Sequence, residues 1–120
     1  MRVIAGQYRH RRLLAPAGRA LRPSSDRLRE SLFNILGERI EAAVFVDAFA
    51  GTGAVGIEAL SRGATAVVWI ESAPMALRTL RANLSELGIA GADVLALPVE
   101  RALGPLARLP AIARRGGCGS

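Results

Sequence analysis

The pattern of apolar and polar residues predicts two kinds of structure in the first part of the chain. In residues 1–14, two apolar pairs flank a polar and basic middle, which is typical of a short β-hairpin. After a loop over 15–23, apolar residues recur at i, i+4, i+7 and i+8, the spacing of one helix face. We expect Ser24 or Ser25 to cap this helix and the helix to end near 37–39. Its predicted apolar face consists of Leu28, Leu32, Ile35 and Leu36.

Short apolar runs alternate with helical segments in the rest of the chain. Helices are predicted over 54–62 and 74–87, the second one capped by Ser72. This alternation predicts an α/β fold with a parallel, doubly wound sheet and right-handed crossovers. We expect the strand order 3-2-1, with strand one as an exposed apolar edge. The strands, each of a composition suited to burial on both faces, are predicted at 44–46, 66–70 and 93–97.

Positive charge is concentrated at the N-terminal end. Residues 1–29 carry eight arginines and one acid, a net charge of +7, whereas residues 30–120 carry eight arginines and nine acids, a net charge of −1. A basic arm on a nearly neutral body indicates a polyanionic partner, of which nucleic acid is the commonest. A solubilising surface is the alternative, although solubility alone does not require the charge to lie in one segment. The predicted RNA-binding residues are Arg9, Arg11, Arg12, Arg22, Arg27 and Arg29.

Composition excludes several classes of protein. Hydrophobic residues make up 51% of the chain and charged residues 22%, which argues against intrinsic disorder. No apolar run approaches the roughly 18 residues that cross a bilayer. The single cysteine, Cys118, allows neither an internal disulfide nor a zinc site, and we predict no metal. Because no apolar signal segment follows Arg2, we expect a cytoplasmic protein without a membrane partner.

The segment 46–56 carries the clearest chemical signal. Gly51, Gly53 and Gly56 form the pattern G-x-G-x-x-G directly after a predicted strand, and Glu71 follows twenty residues after the first glycine. Glycines at these positions let the backbone approach a nucleoside closely, and an acid at that distance accepts hydrogen bonds from the ribose hydroxyls. The two elements in this register predict a nucleoside-binding site.

Asp47 decides which nucleoside the loop is suited to. It ends the first strand, where its carboxylate would repel the pyrophosphate of NAD. S-adenosylmethionine has no phosphate and presents an α-ammonium, which a carboxylate attracts directly or through water. The pattern D-x-F-x-G-x-G therefore favours S-adenosylmethionine, with Phe49 as a loop residue that touches the ligand. A helix-capping role is the alternative for Asp47.

Longer motifs surround this loop. R-P-S-S-D-R-L-R-E covers 22–30, L-F-N-I-L covers 32–36, and D-A-F-A-G-T-G-A-V-G-I-E-A-L-S-R-G covers 47–63. In these motifs the chain resembles the bacterial 16S ribosomal RNA guanine-N2 methyltransferases, the RsmD-like family, over about residues 1–103. The resemblance implies a Rossmann-like methyltransferase fold and transfer of a methyl group from S-adenosylmethionine to the exocyclic amine of a guanine in 16S rRNA.

The resemblance also implies an organisation and a set of roles. Asp47 and the three loop glycines line the methionine end of the cofactor, and Glu71 contacts its ribose. A basic arm with its helix over 1–41 holds 16S ribosomal RNA or an assembling small subunit, and 42–103 forms the cofactor-binding half. Residues 104–120 form an irregular tail. We expect a monomer.

The catalytic loop of that family has no counterpart in the sequence. Guanine N2 is a weak nucleophile, so such an enzyme must hold the base out of its stack, in line with the sulfonium methyl and against an aromatic ring. The family does this with an Asp- or Asn-Pro-Pro-aromatic loop, but this chain has no Pro-Pro pair and its last aromatic residue is Trp69. We therefore assign no catalytic residue and expect a fragment that is marginally stable and inactive alone.

Two other functions stay open on the sequence. A non-catalytic RNA-binding protein with a vestigial nucleoside site would bind RNA in a salt-sensitive manner and would not bind S-adenosylmethionine. An NAD-linked oxidoreductase half-domain would be protected from unfolding by NADH and not by S-adenosylhomocysteine. Asp47 argues against the second of these.

Overall fold

The fold is built around a parallel three-stranded sheet. A computed structural model describes residues 1–15, 23–48 and 50–102; the predicted tail over 104–120 lies outside these ranges. The strands pair in parallel in the order β1-β2-β3, so the predicted α/β class and strand order are confirmed. The elements are α1 (Pro23–Leu36), a 3-10 turn (Gly37–Ile40), β1 (Val44–Asp47), α2 (Ala54–Ser61), β2 (Ala66–Ile70), α3 (Pro74–Glu86) and β3 (Asp93–Leu95).

The central strand, β2, is packed on both faces of the sheet. Val67 and Trp69 face the main hydrophobic core, which includes residues of all three helices. Val68 and Ile70 face the opposite side, where they pack in a smaller cluster with Ala102. This arrangement explains why β2 is apolar at consecutive positions rather than at alternate ones. On its other side β1 pairs with no strand among the described residues, as predicted.

Helix α1 turns a different face to the core from the one that its apolar spacing predicts. Leu28 and Ile35 are exposed, by 71% and 72%, whereas Arg29 and Phe33 are buried. The ring of Phe33 lies 6.0 Å from that of Phe45, measured between centroids. The predicted apolar face is therefore wrong for Leu28, Leu32 and Ile35, whereas Leu36 packs against the core. The packing of Phe33 and the ion pairs of Arg29 determine how the helix is rotated about its axis.

The predicted helix caps are also wrong. Ser24 and Ser25 lie inside α1, which begins before them. At the start of α3, Ala73 and not Ser72 occupies the N-cap position, and it makes no side-chain capping bond. The carboxylate of Glu71 accepts hydrogen bonds from the amides of Ser72 and Ala73, and so satisfies the amide of the N-cap residue.

Residues 1–15 form an arm that packs against the helices. Arg2 and Arg12 make one antiparallel bridge, so the predicted hairpin is present as a single bridge rather than as a ladder. Val3 and Leu13 are buried in the main hydrophobic core. The arm and the sheet thus share one core across the predicted boundary after residue 41.

Gly6 is the point where the arm comes very close to α2. Its φ is +86°, and a Cβ at this position would lie 1.9 Å from the carbonyl oxygen of Ser61. We expect Gly6→Ala to lower the free energy of unfolding by about 2 kcal/mol, because the arm must move away from the helix. Urea denaturation measures this loss.

Gly37→Ala is the matched control for this variant. Gly37 also has a positive φ, +53°, but its Cβ would meet no atom within 4 Å. Its substitution carries only the strain of the left-handed backbone, about 1 kcal/mol. Equal losses in the two variants would contradict the close contact between Gly6 and α2.

Candidate nucleoside-binding site

The loop between β1 and α2 lies at the carboxyl ends of the strands, where open α/β sheets bind their ligands. The amide of Gly51 donates to Glu71 Oε1 at 2.8 Å, and the amide of Gly56 donates to Asp47 Oδ2 at 3.1 Å. Glu71 therefore holds the loop directly, and Asp47 holds the first turn of the helix that follows the loop. The structure brings these four predicted residues together, while Phe49 lies outside the described residues.

Asp47 is buried, which makes its carboxylate harder to ionise. The pKa of Asp47 is raised from 3.8 to about 6, because burial and the negative charge of Glu71 raise it by more than the amide of Gly56 lowers it. Because Gly56 lies in the first turn of α2, its bond to Asp47 is also a capping contact of the kind weighed as the alternative. At pH 7 the carboxylate is mostly charged, and a ligand cation beside it would restore part of the solvation that it has lost.

Glu71 accepts three backbone hydrogen bonds at the end of β2. Oε1 takes the amide of Gly51, and Oε2 takes those of Ser72 and Ala73 at 3.0 and 2.9 Å. Burial raises the pKa of Glu71, but these three amides outweigh it and hold the pKa below its ordinary value of 4.5. A carboxylate offers about four acceptor positions. About one position is left for a ribose hydroxyl. If Glu71 accepts hydrogen bonds from both hydroxyls, one of its oxygens must share a position between an amide and a hydroxyl or lose one of the amides.

Glu71→Gln is expected to loosen this loop. The NH2 group of glutamine would face backbone donors, and we expect a loss of about 1 kcal/mol in the free energy of unfolding at pH 7. Because folding lowers the pKa of Glu71, the wild-type carboxylate stabilises the fold above its ordinary pKa of 4.5 and loses that contribution as the pH falls through the folded value. The difference between wild type and variant, measured by urea unfolding, should therefore shrink in acid.

Glu86→Gln is the control for this prediction. Glu86 is an exposed acid at the end of α3. Its substitution removes the same charge without removing a hydrogen-bond acceptor of the loop. The role of Glu71 would be contradicted if Glu71→Gln changed the free energy of unfolding by no more than Glu86→Gln does at every pH.

The three glycines of the loop serve different purposes. A Cβ on Gly53 would lie 2.2 Å from Leu80 Cδ1, and one on Gly56 would lie 2.3 Å from Trp69 Nε1. Both positions face the core and allow α2 to pack closely against β2 and α3. Gly51 has a φ of +54° and meets no atom within 4 Å. Two of the three glycines thus make room for the core, and the expectation that all three let the backbone approach the ligand stays a prediction.

A mostly apolar cavity of about 490 Å³ adjoins the loop on the side of α1. Its volume lies within the range of small-molecule sites, roughly 300–1,000 Å³. Leu28 and Leu32 of the helix form one wall, and Gly51 and Thr52 of the loop form another. The exposed apolar residues of α1 therefore border the predicted ligand site.

The basic residues of the arm lie mostly on the surface. Arg11 also donates a hydrogen bond from Nη2 to the carbonyl oxygen of Glu86 at 3.0 Å, which ties the arm to the end of α3. Arg22 lies outside the described residues. The predicted RNA-binding residues with exposed side chains are Arg9, Arg11, Arg12 and Arg27.

Arg29 is not on the RNA-facing surface where the sequence places it. It is only 4% exposed. Nη2 donates to the carbonyl oxygen of Arg2 at 2.6 Å and lies 3.3 Å from Asp26 Oδ1. Nε lies 3.4 Å from Glu58 Oε1, an ion pair without hydrogen-bond geometry. The prediction for Arg29 is therefore corrected, because a fully buried acid requires a nearby positive charge.

Three buried polar side chains hold the arm, and sequence reasoning missed them. They share one signal, a polar residue among the apolar residues of a helix, which indicates a specific partner inside the protein. Glu58 also binds Arg62, at 2.9 Å. Each of the three accepts hydrogen bonds from backbone amides of the arm. Glu58 accepts from Ile4 and Ala5 (2.9 and 3.0 Å), Ser61 accepts from Tyr8 (2.9 Å), and Asn83 accepts from Leu14 (2.6 Å).

The sequence matches one protein family over most of its length. The model of the family described as Conserved hypothetical protein 95 matches residues 1–110. The chain belongs to this family. It is 45% identical over 94 residues to Ribosomal RNA small subunit methyltransferase D of Escherichia coli (strain K12), covering 78% of this chain and 48% of that protein. It is 41% identical over 87 residues to the protein of the same name in Haemophilus influenzae, covering 72% and 45%.

The family's solved structures share the fold. The chain superposes on yhhF of Escherichia coli, assigned as a methyltransferase, with a TM-score of 0.75 and 39% identity, covering 86% of this chain and 55% of that one. For a hypothetical protein of Thermus thermophilus, the TM-score is 0.73 and the identity 41%, covering 88% and 60%. The predicted Rossmann-like methyltransferase fold is confirmed. The chain spans about half the length of the curated relatives it matches.

Two further properties concern the described part of the chain only. Within residues 1–15, 23–48 and 50–102, no helix is both long enough and apolar enough to cross a membrane. The same residues contain no group of three or more His, Cys, Asp or Glu side chains that could hold a metal ion.

Proposed function

We propose that this chain is the cofactor-binding and RNA-binding part of a methyltransferase that modifies the exocyclic N2 of a guanine in 16S ribosomal RNA, with S-adenosylmethionine as the methyl donor. The observation that carries the proposal is the pair of acids at the carboxyl ends of β1 and β2, where Glu71 holds the first glycine of the loop and Asp47 holds the helix turn that follows it. The names of the relatives, which are ribosomal RNA methyltransferases, support the substrate.

The environment of Asp47 fits the ammonium end of S-adenosylmethionine. A buried carboxylate that is mostly charged at pH 7 gains from a cation beside it, whereas a pyrophosphate would add repulsion. The remaining acceptor capacity of Glu71 fits a ribose hydroxyl, and the apolar cavity beside Gly51 is large enough for part of a ligand of this size. These features support S-adenosylmethionine over NAD.

In the proposed reaction, the residues of this chain bind and position the cofactor and the RNA. When bound, the cofactor supplies a methyl group on a positively charged sulfur. Asp47 and Glu71 orient it. Arg9, Arg11 and Arg12 neutralise phosphates and so hold the RNA. No residue of the chain is assigned to the guanine.

Isothermal titration of the 120-residue chain tests the proposal. We expect S-adenosylhomocysteine to bind and NADH to show no binding at the same concentrations. We also expect a 16S ribosomal RNA transcript to bind with an affinity that falls steeply with salt. Replacing Arg9, Arg11 and Arg12 together by alanine should weaken RNA binding and reduce the salt slope by about 2.

Each alternative function gives a different result in this experiment. Binding of RNA without S-adenosylhomocysteine favours the non-catalytic RNA-binding protein and contradicts our proposal. Binding of NADH without S-adenosylhomocysteine favours the oxidoreductase half-domain. Binding of S-adenosylhomocysteine without binding of either the transcript or assembling small subunits contradicts the substrate that we propose for the enzyme.

A further inference from the structure

Asn83 is a buried side chain that contacts both the arm and the glycine loop. Its Oδ1 accepts from the amide of Leu14 at 2.6 Å, and its Nδ2 donates to the carbonyl oxygen of Leu14 at 3.2 Å and to that of Thr52 at 2.9 Å. Thr52 lies between the first two glycines of the loop. A single amide group therefore joins the last part of the arm to the predicted cofactor site.

The chemistry of the asparagine side chain matches this position. One carbonyl oxygen and two N–H groups face one backbone donor and two backbone acceptors, so each hydrogen of the amide has a partner. Asn83 is 1% exposed, and water cannot readily replace a partner that leaves. Displacement of Leu14 would leave Oδ1 and one N–H of the Asn83 amide without their partners, and the bond to Thr52 would no longer be held in its present direction.

Two of the other side chains that hold the arm lie on α2, after the loop. Glu58 and Ser61 belong to the second half of α2 and bind residues 4–8 of the arm. By contrast, Arg11 binds the carbonyl oxygen of Glu86, one turn after Asn83 on α3. Two of the basic residues of the arm, Arg11 and Arg12, thus lie within three residues of Leu14, which binds Asn83.

We propose that Asn83 is a positioning residue that couples the docking of the arm to the geometry of the glycine loop, so that RNA held by the arm and the nucleoside held by the loop strengthen each other's binding. This inference rests on the proposed function, since it needs both ligands. RNA that holds the arm in its docked position keeps the amide of Asn83 aligned on Thr52. By linkage, the nucleoside then strengthens RNA binding by the same factor.

Titration of S-adenosylhomocysteine into the chain, with and without a saturating 16S ribosomal RNA transcript, measures this coupling. We expect the RNA to raise the affinity for S-adenosylhomocysteine about 5-fold in the wild type. Asn83→Asp keeps the size of the side chain but has no donors for Leu14 and Thr52, and it should reduce the factor to about 1. Ser85→Ala, on the exposed side of the same helix, should keep the wild-type factor.

Three outcomes would overturn the inference in distinguishable ways. An equal coupling factor in wild type and Asn83→Asp would show that another path carries the coupling. Binding of both ligands to the wild type without any coupling would overturn the inference and leave the proposed function intact. Failure of the wild type to bind either ligand alone would overturn the proposed function and the inference with it.

A measurement on the wild type keeps the test open if Asn83→Asp does not fold. Hydrogen exchange at the amide of Leu14, which is bonded to Asn83, should slow when S-adenosylhomocysteine binds the loop. The amide of Ala42, bonded to the carbonyl oxygen of Gly63, reports stabilisation of the fold as a whole. Slowing at Leu14 that does not exceed slowing at Ala42 would overturn the inference.

Discussion

Asp47→Asn is expected to stabilise the protein and, at the same time, to weaken cofactor binding strongly. Burial raises the pKa of Asp47 to about 6, so the charged carboxylate destabilises the fold above that pH by up to about 3 kcal/mol. Asparagine keeps an oxygen that can accept from Gly56 and carries no charge to desolvate. The affinity for S-adenosylhomocysteine should fall at least about 10-fold, since the charge that faces its ammonium is lost.

The dependence on pH gives this prediction a definite sign. The folded protein holds the proton of Asp47 more tightly than the unfolded chain does, so this residue makes the wild type less stable as the pH rises from about 4 to about 6. Other groups titrate in the same range, and the difference between wild type and variant isolates Asp47. In urea unfolding, the variant should have a higher free energy of unfolding than the wild type at pH 7.5 and nearly the same value at pH 4.

Asp93→Asn is the control for the change in charge. Asp93 is an exposed acid at the first position of β3, and its substitution should change the free energy of unfolding by no more than about 0.5 kcal/mol. If Asp47→Asn were less stable than the wild type at pH 7.5, the charge of Asp47 would already be compensated in the folded wild-type protein. Unchanged affinity for S-adenosylhomocysteine would contradict the role of Asp47 at the ammonium.

Arg29→Ala is expected to lower the free energy of unfolding by about 3 kcal/mol. The substitution removes a buried guanidinium that binds Glu58 and the carbonyl oxygen of Arg2. It therefore leaves a buried carboxylate with less positive charge and detaches α1 from the arm. Chemical denaturation measures the loss, and added S-adenosylhomocysteine should restore part of it if the ligand binds only the folded state.

Arg27→Ala is the matched control on the same helix. Arg27 is exposed, so its substitution should leave stability within about 0.5 kcal/mol of the wild type. It should instead weaken RNA binding and reduce the salt slope by about 1, an effect that Arg29→Ala should not show while it is folded. Similar stability of the two variants would contradict the buried role of Arg29.

The sequence by itself determined most of the elements and the positions of the two acids of the predicted nucleoside site. Apolar runs and helical spacing predict β1, β2 and α3 because these patterns depend on each residue's near neighbours in the chain. Gly63 and Gly88 follow α2 and α3 with φ values of +111° and +71°, as predicted for residues that end helices. Asp47 and Glu71 come at the ends of consecutive parallel strands, so the topology alone brings them to one edge.

Only the tertiary structure decided which residues face the core and how the arm is attached. The apolar spacing of α1 is compatible with burial of Leu28 and Ile35, yet the helix buries Arg29 and Phe33. Asn83 bonds to Leu14 across 69 positions of the chain. Local pattern cannot identify such partners, because a buried polar group is stabilised by whichever distant backbone the fold brings to it.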